Sequence, residues 1–345
     1  MKNELKKRNV YIDYLKGILI LIVVFRHIFQ VSALDSDTNY LCNLMAIVEM
    51  PLFMMISGYL SLNKIENNNI DVRNKIKKNT LAYLVPFISY FIIFKLIFLN
   101  YYTGLASLTD IFYNITLSLW YLYVIWFFSI ISIFSYKICQ VAKKNNFKII
   151  VFTCLFFLFI LIYLLNAIFV NINFLGCKLI VLYSFFYIVG IWFKNYEENI
   201  KKIYNKYKNI ILTCAVAIFF IGGKFISALC IEDNIYGLMI RWCLGLFASI
   251  VVMEVAYDFY KIGVKKQLII KIGTSTLEIY YVHSMLMNIL RLSKADTLFS
   301  QQGMINVLIE SVFIAISCFM IIEVIKLNDV TNLIIFGKQR KKTKN

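Results

Sequence analysis

Charge is scarce in this chain of 345 residues: Asp, Glu, Lys and Arg make up 16% of it, while 61% of the side chains are hydrophobic. An ordinary soluble chain is about 25% charged and about 45–50% apolar, so this composition excludes a soluble enzyme. Proline is scarcer still, with Pro51 and Pro86 alone. No proline-, glycine- or serine-rich linker divides the chain and no internal repeat is visible, so residues 1–345 read as a single membrane domain. The eight cysteines contain no C-x-x-C pair and lie mostly inside apolar runs, which leaves them as small buried hydrophobes and gives no reason to expect a metal. Acid is the rarer sign, with 19 acidic against 36 basic residues and a net charge of +17. Such an excess suits nucleic acid as well as the cytoplasmic face of a membrane, and its placement along the chain decides between them. Histidine occurs only twice, as His27 and His283.

Long apolar runs are what the chain has in abundance. They fall at about 12–34, 40–62, 80–99, 118–138, 147–169, 173–193, 209–230, 235–257, 268–290 and 304–326, each near the roughly 20 residues that cross 30 Å of hydrocarbon. The expected fold is an all-α integral membrane bundle of about ten transmembrane helices. The first run is longer than the apolar region of a cleavable signal and is expected to remain as an anchor. Pro51 is a candidate kink inside the second helix. Basic residues fill every second connection: Lys2 to Arg8, the 63–79 loop with Lys64, Arg73, Lys75, Lys77 and Lys78, the 137–148 loop, Lys194 to Lys208, Lys261 to Lys266, and the tail Lys338 to Lys344. Between them 35–39, 100–117, 170–172 and 231–234 lack Lys and Arg, and 291–303 has only Arg291 and Lys294. Both termini are therefore expected on the cytoplasmic side, with membrane lipid rather than nucleic acid accounting for the charge.

A charged or polar side chain inside a span is costly unless it faces the bundle interior. Lys16, Arg26, His27, Glu49, Lys95, Lys178, Lys224, Arg241, Glu254, Glu278, His283 and Glu310 are thus the functional candidates. Lys178, Lys224 and Glu254 stand near predicted ends, where snorkelling is the plainer account. Both histidines fall about fifteen residues into spans that run outward, roughly 22 Å from the cytoplasmic face. Each has the plainer alternative of a satisfied packing residue. Lys16 and His27 are eleven residues apart, three turns plus roughly 20°, so they share one helix face about 16 Å apart along the axis. That stripe suits an extended ligand with its anionic end at the cytosolic mouth and its reactive end deep inside. The phosphopantetheine arm of an acyl-coenzyme A has this shape.

The first predicted helix, from Asp13-Tyr14-Leu15-Lys16-Gly17 to Arg26-His27, resembles the opening motif of the integral-membrane acyltransferases of the acyltransferase-3 type. In that motif a basic residue, usually Arg, precedes an essential histidine by eleven positions. Lys16 in its place is similar to the branch of fucose O-acetylases of bacterial surface glycans, and it keeps the charge without the bidentate fork. Pro51-Leu52-Phe53 followed by Ser57-Gly58-Tyr59 matches the family's next element. The basic 73–78 segment ahead of Leu84-Val85-Pro86-Phe87, the Leu119-Trp120-Tyr121-Leu122 run, and Gly273-Thr274-Ser275 through Tyr280 to His283 resemble its later segments in the same order. Arg26 departs from the small residue common before the histidine.

The resemblance implies an O-acyltransferase of the cytoplasmic (inner) membrane, with acetyl-CoA as donor and a cell-surface polysaccharide or lipid-linked glycan as acceptor. His27 is the implied catalytic base, or carries the acyl group itself, and His283 is the second catalytic candidate. Lys16, Arg73, Lys75, Lys77 and Lys78 are candidates for the coenzyme's phosphates. Ser57 and Tyr280 are candidates to position substrate, although Ser57 can equally bond the backbone one turn before. Trp120, Tyr121 and Tyr123 suit stacking on a sugar or anchoring at the interface. Glu49 is expected to neutralise Arg26 or orient His27, and Arg26 and Glu49 are also candidates to bind the acceptor. The competing class is an exporter or flippase of an anionic glycan, with Arg26, Lys95, Lys178, Lys224 and Arg241 as its cationic path.

Overall fold

A backbone in hydrocarbon has no water to bond, so the apolar runs must satisfy their own amides, and they do so as helices. The computed structural model describes residues 9–36, 38–61, 71–99, 112, 118–140, 145–165, 174–225, 235–290 and 297–338, and within them the chain is all-helical. In chain order the helices are α1 (Val10–Ser32), α2 (Tyr40–Ser61), α3 (Val72–Ile97), α4 (Trp120–Cys139), α5 (Asn145–Leu165) and α6 (Cys177–Asn195). They continue with α7 (Glu197–Phe225), α8 (Ile235–Ile262), α9 (Lys266–Thr274), α10 (Thr276–Leu290), α11 (Gln301–Lys326) and α12 (Asp329–Phe336).

Eight of these, α1 to α4, α6 to α8 and α11, are long and apolar enough to cross a membrane. The other two expected spans differ. The described apolar stretch of α5 is shorter, Lys148–Leu161. The run expected at 268–290 is not one helix: Ser275, at φ −110° and ψ 22°, divides it into α9 and α10. Hydropathy cannot register such a break, because the apolar pattern continues through it. α3 is also irregular, with π-helical turns at Thr80–Leu84 and Phe91–Leu99. α2 stays helical through Pro51. Lys2 to Arg8, Lys64, Lys143, Lys144, Arg291, Lys294 and the tail beyond Lys338, on which the charge alternation partly rested, lie outside the described residues.

Without a hydrophobic force between helices in lipid, close packing needs small residues at crossings. Two crossings are built this way. A Cβ added to Gly58 would overlap the carbonyl of Tyr187, and one added to Gly190 would overlap that of Met55, so α2 and α6 meet backbone to backbone. In the same manner Gly17 abuts the carbonyl of Ile269 and Gly273 that of Asp13, which joins α1 to α9. Leu19, Val23, Leu52, Met54, Phe128, Phe186 and Val282 are fully buried between these pairs. α11 by contrast exposes Leu308, Ile309, Val312, Phe313, Ile316 and Phe319, as a face turned to lipid does.

Gly190→Ala and Gly17→Ala are expected to cost about 1–3 kcal/mol by overpacking. Gly263→Ala, whose Cβ meets nothing within 4 Å at φ +84°, carries backbone strain alone. Thermal unfolding of the detergent-solubilised protein should rank both crossing variants below wild type. A Gly190 variant of wild-type stability would show that α2 and α6 do not meet as described.

Candidate active site

The helical period of α1 puts Lys16, Ile20, Val23 and His27 on one stripe, at steps of four, three and four residues. The first three line a cavity of about 300 Å³, and His27 lies one turn beyond Val23. Ser57 of α2, Lys75 of α3, Tyr121 of α4, and Thr274, Thr276 and Tyr280 around the α9–α10 break form other parts of its wall. Ser57 Oγ donates to the Phe53 carbonyl at 2.8 Å and lies 3.2 Å from Tyr121 Oη. The Tyr121 ring stands edge-on to that of Tyr280 at 5.8 Å, and the Tyr280 ring is 5.7 Å from His283.

His27 Nδ1 and His283 Nε2 are 3.0 Å apart, with the two rings 14° from parallel. His283 is fully buried, and its Nδ1 lies 2.8 Å from the carbonyl oxygen of Ile279. A carbonyl only accepts, so His283 Nδ1 carries the proton. In the neutral ring Nε2 is then bare and must accept, which requires the proton on His27 Nδ1. The remaining nitrogen, His27 Nε2, is left with a free lone pair. His27 is partly buried, and His283 lies fully buried behind it.

Beside it Arg26 Nη1 donates to Glu49 Oε1 at 2.5 Å, joining α1 to α2, with the side chains 19% and 2% exposed. Arg26 Nε and Glu49 Oε2 are buried with no hydrogen-bond partner among the described residues, so one donor and one acceptor are unspent there. Lys16 is paired with Asp13 at 3.1 Å and remains on the cavity wall.

The other sequence candidates distribute differently. Of the basic segment 73–78, Lys75 lines the cavity, whereas Arg73, Lys77 and Lys78 are exposed off it. Of the aromatic run Tyr121 faces the cavity. The other two aromatics are off it: Trp120 stacks on Tyr183 at 5.3 Å, and Tyr123 is buried against Phe87 and Trp126. Lys95 is buried, and its Nζ donates to Asn288 Oδ1 at 2.9 Å. Glu254 is paired with Lys208 and accepts from Tyr204, and Glu310 accepts from Ser32. Lys224 is exposed at the end of α7. Among the described residues no three of His, Cys, Asp or Glu converge to hold a metal ion.

Two features escaped the sequence reading. Lys338, read only as part of a topological charge cluster, lies on the cavity wall. The direct contact of the histidines had an overlooked signal: Gly17 and Gly273 each precede their histidine by ten residues.

The sequence model of a family described as an acyltransferase domain matches residues 9–324. No curated protein and no solved structure matches the chain.

Removing one partner of a buried ion pair leaves the other charge stranded, at about 3–5 kcal/mol. Arg26→Met and Glu49→Leu are therefore each expected to destabilise the protein more than the double replacement. A double-mutant cycle on thermal stability reads this directly, and additive losses would mean that the two side chains do not depend on each other.

Proposed function

The chain belongs to the acyltransferase-3 family and is an acyltransferase of multi-pass membrane character; from that premise we propose that it transfers an acyl group, acetyl first, from acyl-coenzyme A to a hydroxyl of a cell-envelope polysaccharide or lipid-linked oligosaccharide. The observation that carries this reading is the histidine pair, whose hydrogen bonds leave a lone pair on His27 Nε2. A sugar hydroxyl is too weak an acid to attack a thioester unaided, and a positioned imidazole supplies the base.

In this mechanism His27 Nε2 takes the acceptor's proton as the hydroxyl oxygen attacks the thioester carbonyl. The coenzyme thiolate leaves and recovers that proton from His27. While His27 is protonated, its Nδ1–H bond to His283 Nε2 becomes charge-assisted and stronger. His283, held by the Ile279 carbonyl, thus orients the base and steadies its charged form.

The donor's phosphates suit the mouth marked by Lys16 and Lys75, with Arg73, Lys77 and Lys78 on the adjoining turn of α3. The distance of about 16 Å from Lys16 to His27 along α1 suits a pantetheine arm. The positive-inside rule supports a cytoplasmic mouth and the cytoplasmic membrane. Lys in place of Arg at position 16 supports the branch similar to fucose O-acetylases.

Mass spectrometry of the surface glycan from cells with and without the protein tests the reading, through a base-labile mass difference of one acyl group. His27→Ala is expected to reduce acylation by about 10²-fold or more at unchanged protein level in the membrane. His283→Ala is expected to impair it less, since a misoriented base remains. Normal acylation in His27→Ala would sink the mechanism.

A further inference from the structure

The residues after α11 return to the cavity. Asn328 caps α12 by accepting from the amides of Val330 and Thr331 at 2.8 and 3.3 Å. At the other end Gly337 takes a left-handed φ of +63°, and its amide donates to the Leu333 carbonyl at 2.9 Å. A Cβ at Gly337 would overlap the carbonyl of Leu81, so the end of α12 is seated on the first π-turn of α3. Phe336 is fully buried, edge-on to Tyr281. Asn332 Nδ2 donates to the Lys338 carbonyl at 2.9 Å, which fixes the backbone of the residue that follows the cap.

So held, Lys338 lies on the same cavity wall as Lys16 and Lys75. Three basic residues, from α1, α3 and the C-terminal segment, thus line one cavity, Lys16 with Asp13 as its partner. Lys338 Nζ donates to Glu278 Oε1 at 2.5 Å, but the two sides of this pair differ: the Glu278 side chain is 4% exposed and that of Lys338 is 45% exposed. The carboxylate therefore lies behind the ammonium. An ammonium has three donors, and one bond to Glu278 leaves two for a ligand. The sequence continues from Lys338 with Arg340, Lys341, Lys342 and Lys344, so the chain that follows adds charge of the same sign.

We infer that Lys338 is a specificity-determining residue for the acyl donor, a third arm that binds the phosphates of a nucleotide-bearing thioester at the cavity mouth. The inference rests on the acyl-coenzyme A reading above and adds to it a residue far from the segment 73–78. Glu278 is in this account a positioning residue, which keeps the ammonium from folding back to solvent.

The experiment compares two donors with the purified full chain. Acetyl-CoA carries the nucleotide phosphates, and S-acetyl-pantetheine presents the same thioester without them. The readout is the ratio of kcat/KM for the two donors. Lys338→Gln is expected to lower that ratio about five-fold, as the loss of a charge-assisted bond at a half-exposed site does, and Lys338→Arg to restore it. A ratio unchanged in Lys338→Gln, whether both rates fall together or neither falls, would overturn the inference and leave Lys338 as a structural latch on Glu278. If the wild type itself transfers nothing from acetyl-CoA, the donor reading falls first; if it does so and the ratio is unmoved, only the role of Lys338 falls.

Discussion

The hydrogen bond between His27 and His283 joins residues 256 positions apart, and the site is organised around what that bond demands. Two helices can bring imidazoles within 3 Å only if their axes run close and their registers agree. The first condition is met by Gly17 and Gly273, where α1 and α9 touch through their backbones. The second is met by the interval of ten residues from each glycine to its histidine, an unbroken climb of about 15 Å on α1 and one that passes through Ser275 into α10 on the other side. A side chain at either glycine would spread the helices at the crossing and carry the histidines apart. The same stripe of α1 that ends in His27 lines the cavity below it, so one crossing sets both the histidine pair and that wall.

Much of this was legible in the sequence, in proportion to how local each signal was. Eight of the ten expected spans could be placed because hydrophobic content is a property of a segment alone. The alignment of Lys16 with His27 could be stated because a single helix obeys a fixed period, and the cavity indeed follows that stripe as far as Val23. Which of Trp120, Tyr121 and Tyr123 would face the cavity was not legible: the three share a composition, and the choice depends on how α4 is rotated against α2 and α6. Nor was Lys338, whose approach depends on α12, a helix of eight residues that the sequence reading did not anticipate. The break at Ser275 was hidden for a different reason, since it changes backbone angles without changing hydropathy.

The treatment of buried charge bears on the carrier alternative. A path for an anionic glycan needs cations whose donors face a passage. Arg26 is instead bonded to Glu49, and Lys95 is buried against Asn288, whose amide group in turn donates to Tyr90 Oη and the Ser284 carbonyl. Lys224 is exposed on α7 rather than directed inward. Arg26 and Lys95 tie helices together, whereas Lys16, Lys75 and Lys338 lie on a cavity wall. The cations on that wall are thus not those named for the carrier's path, of which Arg26 and Lys95 are bonded inside the bundle.

The break between α9 and α10 follows from the same logic. Irregular backbone at membrane depth leaves amides and carbonyls without intrahelical partners, and it is tolerated where it is enclosed by protein or lines a cavity. Thr274 and Thr276, on either side of Ser275, both lie on the cavity wall. Had α9 and α10 formed one uninterrupted helix, the close contact at Gly273 would have fixed the direction of the whole segment. The break separates the two requirements: α9 is committed to its crossing with α1, while α10 is free to tilt, bringing Tyr280 to the cavity and His283 to His27. The interruption is therefore part of what lets a tight crossing and a precise hydrogen bond coexist within ten residues of each other.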